Sequence, residues 1–290
     1  MRLLAIVLLT GVITPICGLT GLAQSASSVG PATVWYSEQF TMHSKAVGRD
    51  FLIQVAKPVK PQAGKVPVIY LLDGTALFGE AADIVIANGN FGDAAPAYLV
   101  GISYPNAGVG EWLSLRNHDL VHVHISDSIA PIRGTGDGAL FQKFLMEELR
   151  PLIASRYPVD DGKAILAGHS FGGLFAVHML MDVPGGFSGY LACSPAFWAE
   201  PRLLEKASAF HSSDPLRIFL GVGSKEEDQH KDFRMIGNLQ DFANKLRDHD
   251  SGVNLSFTVF EGKTHGAVVN ECLSNGLLFL LPVPPPSATH

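Results

Sequence analysis

The chain has 290 residues and a formal net charge of −6, and 47% of its residues are hydrophobic. This length and composition fit one large domain with a sizeable buried core. The acidic balance and the lack of a basic tract argue against nucleic acid or an anionic membrane as a partner.

The N-terminus has the pattern of a signal peptide, which we place at residues 1–23. Arg2 supplies a basic start, an apolar run follows, and small residues precede the predicted cleavage after Ala23. The apolar run is short for a membrane span, which needs about 20 residues, and it contains Pro15. We therefore predict an exported protein, secreted or periplasmic, with no stable membrane insertion after cleavage.

The first part of the mature chain predicts a leader and then alternating strands and helices. Residues 24–36 are small and polar, which is typical of a flexible leader. Apolar and β-branched runs predict three strands, at 51–55, 66–72 and 98–104. A helix fits 76–88 between the last two. Residues 105–135 carry scattered Gly, Pro and Asn and are expected to be irregular.

The alternation continues to the end of the predicted domain, 37–281. Apolar residues at helical spacing predict a helix over 138–156, and a charged helix is expected at 229–247. Four further strands are predicted, at 164–167, 187–192, 216–222 and 255–260. Such alternation predicts right-handed crossovers and a mostly parallel central sheet with helices on both faces. The Pro-rich tail, 282–290, is expected to be disordered.

The most specific motif is Gly168-His169-Ser170-Phe171-Gly172, which matches the G-x-S-x-G nucleophile elbow. A strand-like run precedes it and a helix-compatible run follows, so the predicted turn exposes Ser170 at a helix N-terminus. Ser170 is therefore the candidate nucleophile. An oxyanion needs preorganised donors, and we expect the backbone N–H groups of Phe171 and of Thr75, which follows the 66–72 strand.

A nucleophilic serine also needs a base and an acid that orients the base. With an elbow of this kind the chain order is serine, acid, histidine. His265, directly after the last strand, is the candidate base, whereas His178, within the helix after the elbow, is expected to be a packed core residue. The acid should follow the 216–222 strand. Glu226 is preferred there because it emerges soonest, and its rivals, Glu227 and Asp228, are candidates for capping the next helix.

Histidines and cysteines elsewhere do not predict a metal site. The spacing of His118, His122 and His124 suits no single helix face, so neither a metal nor another cofactor is predicted. Once Cys17 has left with the signal peptide, Cys193 and Cys272 remain. Their pairing stays open, because sequence separation carries no geometry.

Three segments, 67–74, 168–174 and 194–198, together resemble the Putative esterase family of α/β hydrolases, and most of all its siderophore-esterase-like branch. The likeness extends over about residues 37–281. It implies an α/β-hydrolase fold and a serine esterase that cleaves a small-molecule carboxylic ester through an acyl-enzyme. It also gives Ser170, Glu226 and His265 the triad positions.

The resemblance also bears on the substrate. Arg116, which with Asp119 matches a pair in that branch, is expected to meet a polar or anionic part of the substrate. Trp198, after a strand on the side where Ser170 emerges, is expected to line an acyl or aryl pocket. An acyltransferase of the same fold and a non-catalytic binding module are the alternatives, and no oligomeric state is predicted.

Overall fold

A computed structural model describes residues 32–130, 132, 134–212, 214–228, 231–249 and 252–283. The predicted signal peptide, residues 24–31 of the leader and residues 284–290 of the tail lie outside the described residues.

Eight strands form one sheet in the order β1-β2-β4-β3-β5-β6-β7-β8. Their bounds are β1 (Ser37–Ser44), β2 (Arg49–Ala56), β3 (Val66–Leu71), β4 (Tyr98–Ser103), β5 (Val159–His169), β6 (Gly189–Cys193), β7 (Leu216–Gly223) and β8 (Val253–Phe260). β2 pairs antiparallel with both β1 and β4, and every other neighbouring pair is parallel. The prediction of a mostly parallel sheet is confirmed.

The helices lie on both faces of this sheet. Their bounds are α1 (Gly74–Phe91), α2 (Val109–Leu120), α3 (Gly138–Lys143), α4 (Arg150–Arg156), α5 (Phe171–Asp182), α6 (Arg202–Lys206), α7 (Met235–His249) and α8 (Val269–Leu280). Tyr70 of β3 packs into the core under α5 and α7, whereas its neighbour Leu71 packs into the core under α1 and α8. The period-two alternation of a strand thus builds two separate cores from one run of residues.

The predicted helix over 138–156 is helical throughout but changes its winding. A π-helical turn, Phe144–Leu149, joins α3 to α4. Pro151 lies in the first turn of α4 and has no N–H to donate to the carbonyl four residues earlier. The wider π-helical turn before Pro151 accommodates the absence of this hydrogen bond.

Three helices, α2, α6 and α8, go beyond the predicted elements. α2 lies within the segment expected to be irregular, so that expectation is wrong for Val109–Leu120. Its buried residues include Arg116 and Asp119, and a helix that buries charged side chains shows no apolar periodicity in the sequence. α8 follows the last strand and buries one apolar side against the sheet. Among the described residues, no helix combines the length and apolar character needed to cross a membrane.

Cys193 and Cys272, whose pairing the sequence leaves open, form a disulfide with a Cα–Cα distance of 6.1 Å. Cys193 ends β6 and Cys272 lies in α8, so the bond attaches this helix to the centre of the sheet. Both residues are fully buried. A cross-link across 79 residues restricts the unfolded chain strongly.

We expect Cys272→Ser to lower the free energy of unfolding by about 2–5 kcal/mol, because the closed loop is lost from the unfolded state. Urea denaturation under oxidising conditions measures the change. A reducing agent should destabilise the wild type by a similar amount and leave the variant unaffected. Equal stability of the two proteins without reductant would contradict this.

Candidate active site

The carboxyl edge of the parallel strands gathers the predicted site residues. The segments that follow β3, β5, β7 and β8 carry Thr75, Ser170, Glu226 and His265, respectively. Parallel strands that point the same way deliver their ends to one edge of the sheet. A cavity of about 610 Å³ lies at the opposite ends of the strands, where Val66, Gly189 and Leu216 begin β3, β6 and β7. None of the four predicted site residues lines it.

Ser170 occupies the turn between β5 and α5 with φ 59° and ψ −117°. A positive φ is uncommon for a residue other than glycine and costs of order 1–3 kcal/mol. Two hydrogen bonds hold the turn: the Ser170 N–H donates to the Cys193 carbonyl at 2.9 Å, and the Ala196 N–H donates to the Ser170 carbonyl at 3.3 Å. A Cβ on Gly168 would lie 2.4 Å from the backbone of Gly172, so this turn requires glycine at that position.

His265 and Glu226 form a direct pair. The Nδ1 atom of His265 lies 2.7 Å from Oε2 of Glu226. The Glu226 side chain is fully buried, while the His265 side chain is 45% exposed. Because Nδ1 faces the carboxylate, Nε2 is the imidazole nitrogen left to face other groups.

Buried hydrogen bonds keep Glu226 ionised. Burial alone would raise the pKa of Glu226, but hydrogen bonds from His265, Ser194 and the Gly223 backbone outweigh it and hold the pKa below its usual value. The Ser194 hydroxyl donates to Oε1 at 2.5 Å and the Gly223 N–H donates to the same oxygen at 2.7 Å. Both oxygens of Glu226 therefore have partners, and the carboxylate is fixed in one orientation.

The two other acids that compete in the sequence have different surroundings. Oε1 of Glu227 accepts hydrogen bonds from the backbone N–H groups of Ile236, at 2.8 Å, and Gly237, at 3.2 Å. Both lie in the first turn of α7, so Glu227 satisfies free donors at a helix N-terminus. Asp228 is exposed. Of the three acids, Glu226 is the one in contact with His265.

The predicted oxyanion donors both lie at helix N-termini. Phe171 is the first residue of α5, and Thr75 is the second residue of α1. Backbone N–H groups in the first turn have no acceptor within their own helix, so they are available to an anion. The Thr75 hydroxyl accepts a hydrogen bond from the Tyr104 N–H at 3.3 Å, which attaches this turn to the end of β4.

Arg116 lies in a buried ion pair. Its Nε and Nη2 atoms donate to the two carboxylate oxygens of Asp73 at 2.7 and 2.8 Å, and Nη2 lies 3.5 Å from the His169 carbonyl. These contacts join α2 to the turns that carry Thr75 and Ser170. Its contact with substrate stays a prediction, because Arg116 is not among the described residues that line the cleft.

Ser170, Glu226, His265 and Trp198 line one cleft of about 310 Å³. The Trp198 ring stacks on Phe233, with ring centroids 4.4 Å apart, and also packs against Phe171. One wall of the cleft is therefore aromatic. An apolar wall with a few converging polar groups is the usual composition of a small-molecule site.

The other histidines discussed from the sequence, His118, His122, His124 and His178, do not line this cleft. His118 contacts Asp119 and Asp137, and His124 is exposed. The His122 ring stacks on the ring of His178. His178 is buried, as expected, and it also contacts two carboxylates.

Three residues that the sequence analysis did not assign support the site. Ser194 holds Glu226, Asp73 holds Arg116, and Nε2 of His169 donates to the His265 carbonyl at 2.9 Å. Burial and the nearby His265 lower the pKa of His169 to about 3, so the ring is a neutral donor. Each of the three lies in one of the segments 67–74, 168–174 and 194–198 that carry the family resemblance. Their partners are distant in sequence, so no spacing pattern reveals the contacts.

Comparison with known proteins gives similarities over most of the chain. The model of the family described as Putative esterase matches residues 44–266. Ferri-bacillibactin esterase BesA of Bacillus subtilis is 31% identical over 268 residues, which cover 86% of this chain and 91% of that protein. The siderophore triacetylfusarinine C esterase of Aspergillus fumigatus is 31% identical over 281 residues, covering 85% and 94%. The crystal structure of the BES protein from Bacillus cereus matches with a TM-score of 0.77 at 31% identity, covering 89% of this chain and all of that one (100%).

Proposed function

The chain belongs to the Putative esterase family and is a carboxylic ester hydrolase of the siderophore-esterase type, and on this premise we propose that it works through a Ser170–His265–Glu226 triad and an acyl-enzyme. The observation that carries the proposal is the His265–Glu226 pair at 2.7 Å in the same cleft as the strained elbow serine. Such an arrangement gives the serine a base and gives the base a fixed orientation.

In the proposed reaction, Oγ of Ser170 attacks the carbonyl carbon of the ester while Nε2 of His265 accepts the hydroxyl proton. The carbonyl oxygen becomes negative and accepts hydrogen bonds from the backbone N–H groups of Phe171 and Thr75. The bond to the leaving alcohol then breaks, and the alcohol takes the proton from His265. Water repeats the sequence on the acyl-enzyme, which releases the acid and restores Ser170. Glu226 stays ionised throughout and stabilises the imidazolium.

We further propose that the natural substrate is an ester bond within a siderophore. The support comes from two relatives, one named as a siderophore triacetylfusarinine C esterase and one as a ferri-bacillibactin esterase, each with 31% identity over more than four fifths of this chain. The aromatic wall formed by Trp198 and Phe233 provides an apolar surface for the substrate beside Ser170. Aromatic faces bind planar and apolar groups well.

Export is also part of the proposal. The signal-peptide pattern of residues 1–23 is its basis in the sequence. The buried Cys193–Cys272 disulfide supports it, because disulfides persist chiefly in oxidising compartments outside the cytosol.

Ser170→Ala should abolish labelling by a fluorophosphonate and lower kcat by about a thousandfold or more, because the acyl-enzyme no longer forms.

The matched pair Glu226→Gln and Glu227→Gln tests which of the two acids orients His265. The first should lower kcat by about a hundredfold or more, and the second should leave kcat within about twofold while weakening the start of α7 by about 0.3–1 kcal/mol. A crippling Glu227→Gln with a mild Glu226→Gln would disprove the acid assignment.

Trp198→Ala should raise KM by about tenfold for aryl or long-chain esters and change it little for acetate esters, because the wall contact is lost. The KM values of p-nitrophenyl esters of graded acyl length measure the ranking of substrates. Hydrolysis of ferri-bacillibactin and of triacetylfusarinine C, monitored by mass spectrometry, tests the siderophore proposal. Trp35→Ala is the control, since Trp35 is exposed and lies at the start of the fold. An unchanged ranking in Trp198→Ala would show that the residue is structural only.

In an exporting bacterial host, we expect the mature protein to begin at Gln24, because signal peptidase selects small residues such as Ala23. N-terminal sequencing of the secreted or periplasmic fraction measures the start. Ala23→Phe should leave the precursor uncleaved. A protein that retains Met1 and stays in the cytoplasm would refute export.

A further inference from the structure

Three metal-binding side chains meet outside the catalytic cleft. One ligand atom from each of His122, His178 and Glu200 lies within 4.8 Å of the other two. His122 follows α2, His178 lies in the second half of α5, and Glu200 is two residues beyond Trp198. Of the three histidines that are close together in sequence, only His122 belongs to this cluster.

In each of the two imidazoles, Nε2 already lies near a hydrogen-bond acceptor outside the three-residue cluster. Nε2 of His122 lies 3.3 Å from the side-chain oxygen of Gln142, and Nε2 of His178 lies 2.9 Å from a carboxylate oxygen of Asp182. In a neutral imidazole that donates through Nε2, Nδ1 carries a lone pair. This is the arrangement of metal-ligating histidines, whose second nitrogen donates to a carboxylate or carbonyl oxygen.

Glu200 contributes a buried oxygen without a hydrogen-bond partner. Its side chain is 1% exposed, and Oε1 accepts from the Arg202 guanidinium at 2.6 and 2.7 Å. Neither Oε2 of Glu200 nor Nδ1 of His178 has a hydrogen-bond partner in the described part of the chain. Nδ1 of His178 lies 3.4 Å from Oε1 of Glu200, which is ion-pair range without hydrogen-bond geometry. Unpartnered buried polar atoms are costly, so two in one cluster require an explanation.

We propose that His122, His178 and Glu200 bind one zinc-class divalent transition-metal ion. Two imidazole nitrogens and one carboxylate oxygen are a known zinc ligand set, with water as the fourth ligand. Each ligand has an outer partner: Gln142 for His122, Asp182 for His178 and Arg202 for Glu200. The ion would give both unpartnered atoms a partner.

Binding would draw the three ligand atoms closer together. Ligand atoms about 2.1 Å from a tetrahedral zinc are about 3.4 Å apart, so a pair at the 4.8 Å limit of the cluster would close by about 1.4 Å. The His122 and His178 rings are parallel, with centroids 3.4 Å apart, and metal binding would tilt them out of this stack so that the in-plane lone pairs of both rings converge on the ion. Gly138 makes room for this pair, since a Cβ there would lie 2.7 Å from the His122 ring.

The ion would connect three segments around the active site. α5 begins at the elbow, and Glu200 ends the segment that carries Trp198. A metal bond between them would restrict the cleft wall without touching the reacting groups. His122 is only half-buried, which gives the ion a route from solvent. This inference does not rest on the proposed triad or substrate, because zinc binding is measured directly.

Zinc titration of the chelator-treated full-length protein, by calorimetry and by elemental analysis after gel filtration, tests the proposal. We expect one Zn²⁺ per chain, and a rise in Tm of about 5 °C or more at a hundredfold excess over Kd. His122→Gln and Glu200→Gln should each weaken binding by at least about tenfold. Either variant suffices if the other fails to fold by circular dichroism.

Two controls identify the site. His124→Gln, an exposed histidine two residues from His122, should bind zinc as the wild type does. His265→Ala removes the other His–Glu pair and should also bind normally. The proposal is overturned if no zinc binds, or if the folded His122→Gln and Glu200→Gln variants bind it as tightly as the wild type. It is also overturned if His265→Ala alone loses binding, since zinc would then occupy the catalytic cleft.

Discussion

The positive φ of the Ser170 backbone is the constraint on which the rest of the site depends. A residue with φ 59° is unfavourable by itself, so the surroundings must hold it there. Hydrogen bonds to the end of β6 and to Ala196 do this, and the close packing at Gly168 leaves no room for a side chain. The same contacts bring β6 and the segment after it, with Ser194 and Trp198, to the edge of the cleft.

Two buried carboxylates, Glu226 and Asp73, then fix the groups on either side of the elbow. Glu226 holds His265 on one side, and Asp73 holds Arg116 on the other. Leaving a buried charge without its partner typically costs about 3–5 kcal/mol. The positions of the imidazole and of the turn that carries Thr75 are therefore coupled to folding, which preorganises the proposed site. Preorganised groups stabilise developing charge without reorganising during the reaction.

Local sequence patterns predict most of the strands and helices, but they do not predict a helix whose buried side carries charged residues. The strands and the elbow follow from apolar runs and from Gly168 to Gly172. α2 was not predictable in this way because its buried side holds Arg116 and Asp119, which face partners on other elements. The spacing of His118, His122 and His124 likewise predicts no shared site, whereas His122 meets His178 and Glu200 across the fold.

The sequence by itself determined the fold class and the family resemblance, and it gave the order of the candidate serine, acid and histidine, because these depend on short-range patterns and on position along the chain. Tertiary structure decided which groups touch. It brought Glu226 rather than Glu227 to His265, 39 residues away, and paired Cys193 with Cys272 across 79 residues. It also placed Arg116 against Asp73. Such contacts form where strand ends and helices from distant parts of the chain converge, and no local spacing records that convergence.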